Sequence, residues 1–489
     1  MPRWIIPAIV IAIVFARSAV FLLSPESYFD SDQAIVGLMA KHLSELRAFP
    51  VFLYGQTYML GVEAWLAAPL FVLFGVSATV LKLPLLAMNL ATALLLVFML
   101  RRDMDLSAPA ATVAALPFIL PSVGLSAVLM DSGGGSLEPF LYVVLLWLTR
   151  QRPLLLGLVF GIGFINREFT VYGLAALVAV DALDRTLFTR AAVLRWGRTM
   201  AVAVAVFVAI QGLKQFSSGG GPGTTIRDTF TRSNNLAELA GRMCISPAKT
   251  MTGAGRLVSV HWPALFGTGR YPLTMFSIES GVTQGMAGTS WLPAALALLS
   301  IAGIAGSRVT GVPGSPVRPR VAQYLILTGV FSVAGYLFAR CGEVSFYTMR
   351  YDLLSVLAIV GLSAWFLATA RSTVLRSAWS LVFVAWMAVA AVPHVRFAYE
   401  YATHPPMPAK ELLIRVLQAQ GIRYGTADYW LAYYIDFRTR EEMIFAAESP
   451  QRILLYNRIV AEHAGEAVRL SRRSCDGGTA LIDGVYRCP

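Results

Sequence analysis

The sequence predicts an all-α polytopic membrane protein with about 11 transmembrane helices, followed by a small extracytoplasmic domain of α/β or α+β type. Of the 489 residues, 56% are hydrophobic and only 14% are charged, and the mean hydropathy is +0.63. Soluble domains contain about 25% charged residues. The apolar residues also form continuous runs, such as 4–23 and 81–100, and about 20 apolar residues cross a bilayer as one helix. These observations exclude a soluble enzyme and a disordered scaffold.

The first apolar run, 4–23, is expected to be a transmembrane helix with a cytosolic N-terminus rather than a cleaved signal peptide. In the polar stretch 24–61, apolar residues at helical spacing over 33–46 predict an amphipathic helix on the membrane surface. The short apolar segment 62–74 is expected to be interfacial or partly inserted. Further spans are predicted at 78–100, 108–128, 137–148, 154–165, 170–182, 199–213, 291–306, 321–338, 353–370 and 378–392.

The distribution of arginine orients these spans. With a cytosolic N-terminus, the arginine-rich loops all fall on the cytosolic side, where positive charge accumulates in membrane proteins. These loops are 101–102, 150–152, 185–198, 308–320 and 371–376. Short outer loops then carry only Arg167, Arg340 and Arg350. Membrane topology therefore accounts for the net charge of +12, and a nucleic-acid partner is not expected. We therefore expect the protein to lie in the cell membrane, which is the inner or plasma membrane.

This orientation places two larger loops and the tail outside. The predicted domains are a transmembrane domain, 1–393, and an extracytoplasmic domain, 394–489. Outer loop 1 covers 24–77, and a large outer loop covers 214–290 and begins with a Gly/Ser/Thr-rich stretch that is typical of a flexible loop. The tail combines a helix-like run, 409–420, with the strand-like runs 452–456 and 480–486.

All the cysteines fall on the outer side of this topology, where disulfides are stable. Cys475 and Cys488 bracket the turn signal Asp476-Gly477-Gly478 and are predicted to pair. A pairing of Cys244 with Cys341 is left open. The spacing of cysteine and histidine matches no standard zinc motif.

Carboxylates on the outer face are the first candidates for chemistry. Asp30 and Asp32 follow the first span, and Asp131 and Glu138 flank a glycine run just past the third. Two acidic loops that meet at one face can provide a general base and can also hold a divalent cation. The alternative is structural, because Asp32 could cap the amphipathic helix and Asp131 the fourth span.

Cations near the same face could bind a lipid phosphate. The candidates are Arg17 inside the first span, Lys82 at the start of the second, Arg167 between two short spans, and Arg350-Tyr351 before a late span. Each could instead be an interfacial anchor or, for Arg17, a snorkelling side chain. His261 is expected to be structural rather than catalytic.

Outer loop 1 resembles a known family. Its motifs are Asp32-Gln33-Ala34, Tyr54-Gly55-Gln56, Tyr58-Met59 and the run that starts at Glu63, followed by Lys82-Leu83-Pro84. They resemble the first-loop region of GT-C-fold membrane glycosyltransferases, in the bacterial branch that includes protein O-mannosyltransferases and aminoarabinose transferases. The late segment Arg350-Tyr351-Asp352-Leu353-Leu354 is similar to the opening of a late helix in that family. The resemblance covers roughly the first third of the chain and this helix.

The resemblance implies an enzyme that moves a sugar from a polyprenyl-phosphate carrier to an acceptor on the outer face with inversion. The acceptor would be a glycan, a lipid or a protein, and membrane lipids surround the enzyme. An acidic residue of the first loop would be the base. The usual Asp-Glu pair is Asp32-Gln33 here, so Asp32 is the first candidate and Asp30 the second. Substrate contacts are expected from Gln56, Tyr58 and Glu63. No cofactor is firmly predicted, and a divalent cation is left open.

Two other functions remain open at this point. A polytopic transporter or lipid flippase could line its path with Arg17 and Asp131, although the internal repeats common in transporters are missing from the sequence. The second alternative is a non-catalytic partner in cell-envelope glycan assembly. Convergence of Asp32 and Asp131 on one site would favour the glycosyltransferase.

Overall fold

The computed structural model describes residues 4–133, 136–225, 246–267, 291–309, 319–340 and 347–489. Within these residues, the part up to residue 403 is mostly helical, and the one sheet described lies in the tail. Of the described helices, five are long and apolar enough to cross a membrane, or six if one bent pair counts as a single span. This confirms a multi-pass helical membrane protein. The count of eleven spans stays a prediction.

The helices before the large outer loop are α1 (Ile5–Leu23), α2 (Ser31–Ser44), α3 (Val62–Phe74), α4 (Ala78–Met104), α5 (Ala108–Ile119), α6 (Val123–Leu129), α7 (Glu138–Thr149), α8 (Pro153–Asn166), α9 (Thr170–Leu183) and α10 (Arg190–Leu213). Within and after that loop are α11 (Pro247–Arg256), α12 (Trp262–Phe266), α13 (Leu292–Val309), α14 (Arg320–Arg340), α15 (Val356–Thr369) and α16 (Thr373–Thr403). α16 extends past the boundary predicted at residue 393.

The segment predicted as one span, 108–128, consists of α5 and α6, and the chain bends by 81° between them. Pro121 cannot donate a helical hydrogen bond at the break. Ser122 then restarts the chain as a helix, since its hydroxyl accepts a hydrogen bond from the amide of Leu125 at 3.0 Å. α6 ends at Leu129, two residues before Asp131.

The amphipathic helix of outer loop 1 exists as α2, but it does not lie open on a surface. Most of its residues are buried, including the polar Gln33, Lys41 and His42. One side of α2 packs against α3, and another packs against a helix of the tail, α18 (Tyr429–Arg438). Gly37 permits this approach, because a methyl group added there would lie 2.4 Å from the ring of Phe437. Lys41 and His42, which suggested a solvated face, contact Glu441 of the tail instead.

The tail is an α/β unit. Its helices are α17 (Ala409–Ala419), α18 and α19 (Leu454–Glu462), and its strands are β1 (Tyr424–Ala427), β2 (Ile444–Ala447), β3 (Val468–Ser471), β4 (Thr479–Ile482) and β5 (Val485–Cys488). The strand order is β2-β1-β3-β5-β4, parallel from β2 to β3 and antiparallel beyond.

Sequence predictions for the tail had mixed outcomes. The helix at 409–420 is confirmed, and the run 480–486 is a hairpin that turns at Gly484, where φ is +73°. The strand predicted at 452–456 is wrong, because that apolar run begins α19, which packs against β2. The disulfide between Cys475 and Cys488 is confirmed, with the Cα atoms 5.9 Å apart. Cys244 and Cys341 lie outside the described residues.

In its described part, the glycine-rich start of the large outer loop is held by backbone hydrogen bonds to other segments. The amide of Gly55 donates to the carbonyl of Gly219 at 2.8 Å, and the amide of Leu454 donates to the carbonyl of Gly220 at 3.0 Å. Residues 217–221 therefore connect outer loop 1 to the tail.

Candidate active site

Asp30 is the cap of α2. The backbone is extended at Asp30, and its Oδ1 accepts a hydrogen bond from the amide of Gln33 at 2.9 Å. The capping role that the sequence left open for Asp32 thus belongs to Asp30. Burial, together with the nearby charges of Asp131 and Asp32, raises the pKa of Asp30 to about 8. Asp32, two residues further on, does not cap α2.

Asp131 lies in the turn after α6, directly beside Asp32. Its Oδ1 accepts a hydrogen bond from the amide of Gly133 at 2.8 Å. A methyl group added at Gly133 would lie 2.9 Å from this oxygen and 3.2 Å from Cβ of Asp32. Burial raises the pKa of Asp131, while the Gly133 amide and the charge of Lys82 oppose the rise. The two acidic loops therefore meet, as the sequence anticipated.

Two cations accompany the carboxylates. Lys82 is buried near the start of α4, where its ammonium donates to the carbonyl of Tyr28 at 3.4 Å. Arg350 lies in a short 3₁₀ helix, Tyr347–Tyr351, with its guanidinium 5.2 Å from the centre of the Tyr351 ring. Burial disfavours the charge on Arg350, but Tyr351, Asp32 and Asp131 together raise its pKa. Arg350 therefore acts electrostatically on both carboxylates.

The tail supplies two residues to this site that sequence reasoning missed. The hydroxyl of Tyr429, at the start of α18, donates a hydrogen bond to Oδ1 of Asp32. Lys410, at the start of α17, is buried, and its charge acts on Asp30 and Asp428. Burial lowers the pKa of Lys410 to about 8. The aromatic-rich sequence of α18 indicated burial, but nothing in it identified the partner of Tyr429.

A second group of polar residues lines a pocket to which neither Asp32 nor Asp131 contributes. Glu63, Glu138 and Asn166 are buried and line a small pocket with apolar residues that include Met59. Arg167 follows Asn166 at the end of α8. This pocket holds Glu63 and Glu138, which the sequence proposed for substrate contact, apart from the Asp32–Asp131 pair.

Three further candidates have other positions. Arg17 donates to Oδ1 of Asn89 at 2.6 Å and to the carbonyl of Ile119 at 3.0 Å, inside the helix bundle. Asn89 in turn donates to the carbonyl of Leu129 at 2.9 Å, so Arg17 supports the chain just before Asp131 through a neighbour. Gln56 is half-buried in a turn, and Tyr58 is exposed.

The sequence leaves a divalent cation at this site open. Among the described residues, no group of three or more His, Cys, Asp and Glu side chains is arranged to hold a metal ion. The neighbours of Asp32 and Asp131 are instead a phenol, an ammonium and a guanidinium.

Fold and site together define a multi-pass membrane protein whose helical bundle and α/β tail share a cluster of carboxylates and cations. No protein-family model matches the chain, and no curated protein matches it by sequence.

Two crystal structures of ArnT from Cupriavidus metallidurans are similar to this chain. The apo structure is 11% identical, with a TM-score of 0.39 and coverage of 93% of each chain. The structure bound to undecaprenyl phosphate is 13% identical, with a TM-score of 0.35 and coverage of 98% of each chain. ArnT is an aminoarabinose transferase with the GT-C fold, the kind of protein that outer loop 1 resembles. At these TM-scores the similarity does not by itself assign an activity.

Proposed function

We propose that the protein is an integral membrane glycosyltransferase that moves a sugar from a polyprenyl-phosphate carrier to an acceptor on the outer face. Asp32 is the general base. Asp131 lines the same site, and Arg350 and Lys82 bind the carrier phosphate. The acceptor is a glycan, a lipid or a protein.

The proposed transfer reaction needs only a base, an acceptor with a lone pair and a phosphate leaving group. Asp32 takes the proton of the acceptor hydroxyl or amine, whose lone pair attacks the anomeric carbon. The bond from that carbon to the phosphate oxygen breaks, and its electron pair leaves with the polyprenyl phosphate. Cations fixed near the leaving oxygen stabilise the developing charge. Attack from the side opposite the phosphate inverts the anomeric centre.

The observation that carries the proposal is the pairing of a half-buried carboxylate with cations at one point. Asp32 accepts a hydrogen bond from Tyr429 and lies across Gly133 from Asp131. The charge of Arg350 acts on both carboxylates, and the charge of Lys82 acts on Asp131. A general base needs a positioned carboxylate, and a bound phosphate needs nearby cations.

A transporter or flippase is the second candidate. Such a protein would line its path with Arg17 and Asp131. The guanidinium of Arg17, however, donates hydrogen bonds to Asn89 and to the carbonyl of Ile119 within the helix bundle. Asp131 lies next to Asp32 rather than next to Arg17, and this pair of carboxylates favours the transferase.

The test is a transfer assay on purified membranes with a panel of polyprenyl-phosphate sugars, comparing wild type with Asp32→Asn. Asp32→Asn should lose transfer with at least one donor that wild type uses, by about 10²–10⁴-fold. A parallel assay in proteoliposomes measures the exchange of undecaprenyl phosphate between leaflets. Lipid exchange without transfer by wild type would support the flippase and overturn the proposal.

A further inference from the structure

One histidine brackets the turn that carries Arg350. Nε2 of His261 lies 3.0 Å from the hydroxyl of Thr348, and Nδ1 lies 3.3 Å from Oδ1 of Asp352. Thr348 and Asp352 stand two residues before and two residues after Arg350. A single imidazole thus contacts both sides of the short 3₁₀ turn, Tyr347–Tyr351, from which the guanidinium extends.

The imidazole is fixed in place. His261 and Asp352 are buried, at 1% and 3% exposure. His261 ends a π-helical turn, Leu257–His261, in the large outer loop, and such turns are frequent at functional sites. Its ring lies 5.2 Å from that of Tyr336, which stacks on Tyr351 at 6.2 Å. His261 is therefore held by packing on one side and by polar contacts on the other.

The same packing reaches the guanidinium. Tyr351 accepts a hydrogen bond from Nη2 of Arg350 at 3.3 Å, and its ring contacts Phe169 edge-on at 5.8 Å. The His261 contacts set the backbone of the turn, and Tyr351 sets the direction of the side chain. A charge-assisted contact to a phosphate depends strongly on such geometry.

We infer that His261 is a positioning residue that holds Arg350 in the orientation that binds the carrier phosphate. The inference rests on the proposed function, because it assigns Arg350 to the phosphate. His261 itself touches no reacting atom. It acts only through its contacts with Thr348 and Asp352, the residues that flank Arg350 on either side.

The test measures the binding of undecaprenyl phosphate to the purified full-length protein in nanodiscs. His261→Leu removes both nitrogen contacts and should raise the dissociation constant by about 10-fold, the effect of about 1.4 kcal/mol. His261→Gln, which keeps a polar group at this position, should recover part of the loss. In the Arg350→Ala background, His261→Leu should add nothing, because the residue through which it acts is gone.

A matched control is His394→Leu. His394 is a half-buried histidine of α16 that lies 2.8 Å from the carbonyl of Pro121, and its loss should leave the dissociation constant unchanged. If His261→Leu does not fold, Thr348→Val removes only one of the contacts and should raise the dissociation constant about 3-fold.

The outcomes separate the two proposals. Weaker binding by Arg350→Ala, with normal binding by His261→Leu and Thr348→Val, overturns the role of His261 and leaves the proposed function standing. Full additivity of Arg350→Ala and His261→Leu also overturns it, because His261 would then act independently. Normal binding by every variant would instead remove Arg350 from the phosphate site.

Discussion

Tyr429 of the tail donates a hydrogen bond to Asp32 in the first turn of α2, across 397 residues of sequence. The contact joins the α/β unit to the helical bundle at the carboxylate that we propose as the base. Outer loop 1 and the tail also share one hydrophobic core, which includes Phe29 and Phe437. The tail is therefore a structural part of the site rather than an appendage.

Tyr429→Phe tests this relationship. The change keeps the ring and removes the hydroxyl, so Asp32 loses a hydrogen bond that orients its carboxylate. We expect the transfer rate to fall about 10-fold, since a misplaced base loses part of its effect. Steady-state transfer rates measure this.

The control is Tyr424→Phe, another tyrosine of the tail, whose ring stacks on His463 at 3.9 Å. It should retain wild-type activity. Equal rates for Tyr429→Phe and wild type would show that the phenol does not orient the base.

Asp32 and Asp30 should respond differently to the same substitution. Asp32→Asn removes the proposed base and should lower transfer by about 10²–10⁴-fold with little effect on folding. Asp30→Asn keeps a good helix cap and should be milder. Transfer rates, with expression and thermal unfolding as checks on folding, measure the difference. Activity retained by Asp32→Asn and lost by Asp30→Asn would move the base to Asp30.

Gly133→Ala should impair the site through crowding alone. The new methyl group would lie 3.2 Å from Cβ of Asp32 and 2.9 Å from Oδ1 of Asp131, so the carboxylates must shift apart. We expect transfer to fall about 10-fold or more, because a shift of about 1 Å can cost far more than that.

Gly197→Ala is the matched control for Gly133→Ala. Gly197 lies in α10, and its added methyl group would meet no atom within 4 Å. Wild-type activity of both variants would mean that the spacing of Asp32 and Asp131 does not matter for transfer.

The predicted topology has a direct test by cysteine labelling. In a Cys244→Ser/Cys341→Ser background, Ser107→Cys should resist an impermeant maleimide in intact cells, and Gly465→Cys should react. Both positions are exposed, and the arginine bias places the first inside and the second outside. Labelling of Ser107→Cys from the outside would reverse the orientation.

The sequence predicted what depends on local pattern. Long apolar runs specified the helices, the turn signal between Cys475 and Cys488 specified the disulfide, and the carboxylates of two loops pointed to one site. Each of these signals lies within a short segment of chain. Asp32 and Arg350 also lie in the two segments that resemble GT-C-fold membrane glycosyltransferases.

What the sequence could not predict depends on contacts between distant segments. α2 has the composition of a surface helix because Lys41 and His42 are polar, but Glu441 of the tail pairs with both. Likewise, Tyr429 and Lys410 carry no motif that connects them to outer loop 1. Only the folded chain brings these residues together.

Glu441 should control the docking of the tail on α2. It accepts hydrogen bonds from Arg47 at 2.9 Å and Tyr456 at 3.0 Å, pairs with Lys41, and lies 3.0 Å from His42. Its side chain is only 7% exposed. Glu441→Gln removes the more buried of the two carboxylates that pair with Lys41 and Arg47, and only Glu45, which is 38% exposed, still pairs with both. The free energy of unfolding should therefore fall by about 2–3 kcal/mol. Thermal unfolding in detergent at pH 7 measures this.

The same carboxylate should make stability depend on pH. Burial opposes its charge, but His42 and Lys41 lower the pKa of Glu441 below its usual value. A carboxylate with a lowered folded-state pKa stabilises the fold above its unfolded pKa, and this stabilisation is lost as the pH falls towards the folded value. Wild type should therefore lose stability below about pH 4.5, and Glu441→Gln should lose less over the same range. Glu448→Gln breaks an exposed pair with Arg469 and should change stability by less than about 1 kcal/mol. If both variants follow the wild-type pH curve, Glu441 does not hold the tail in place.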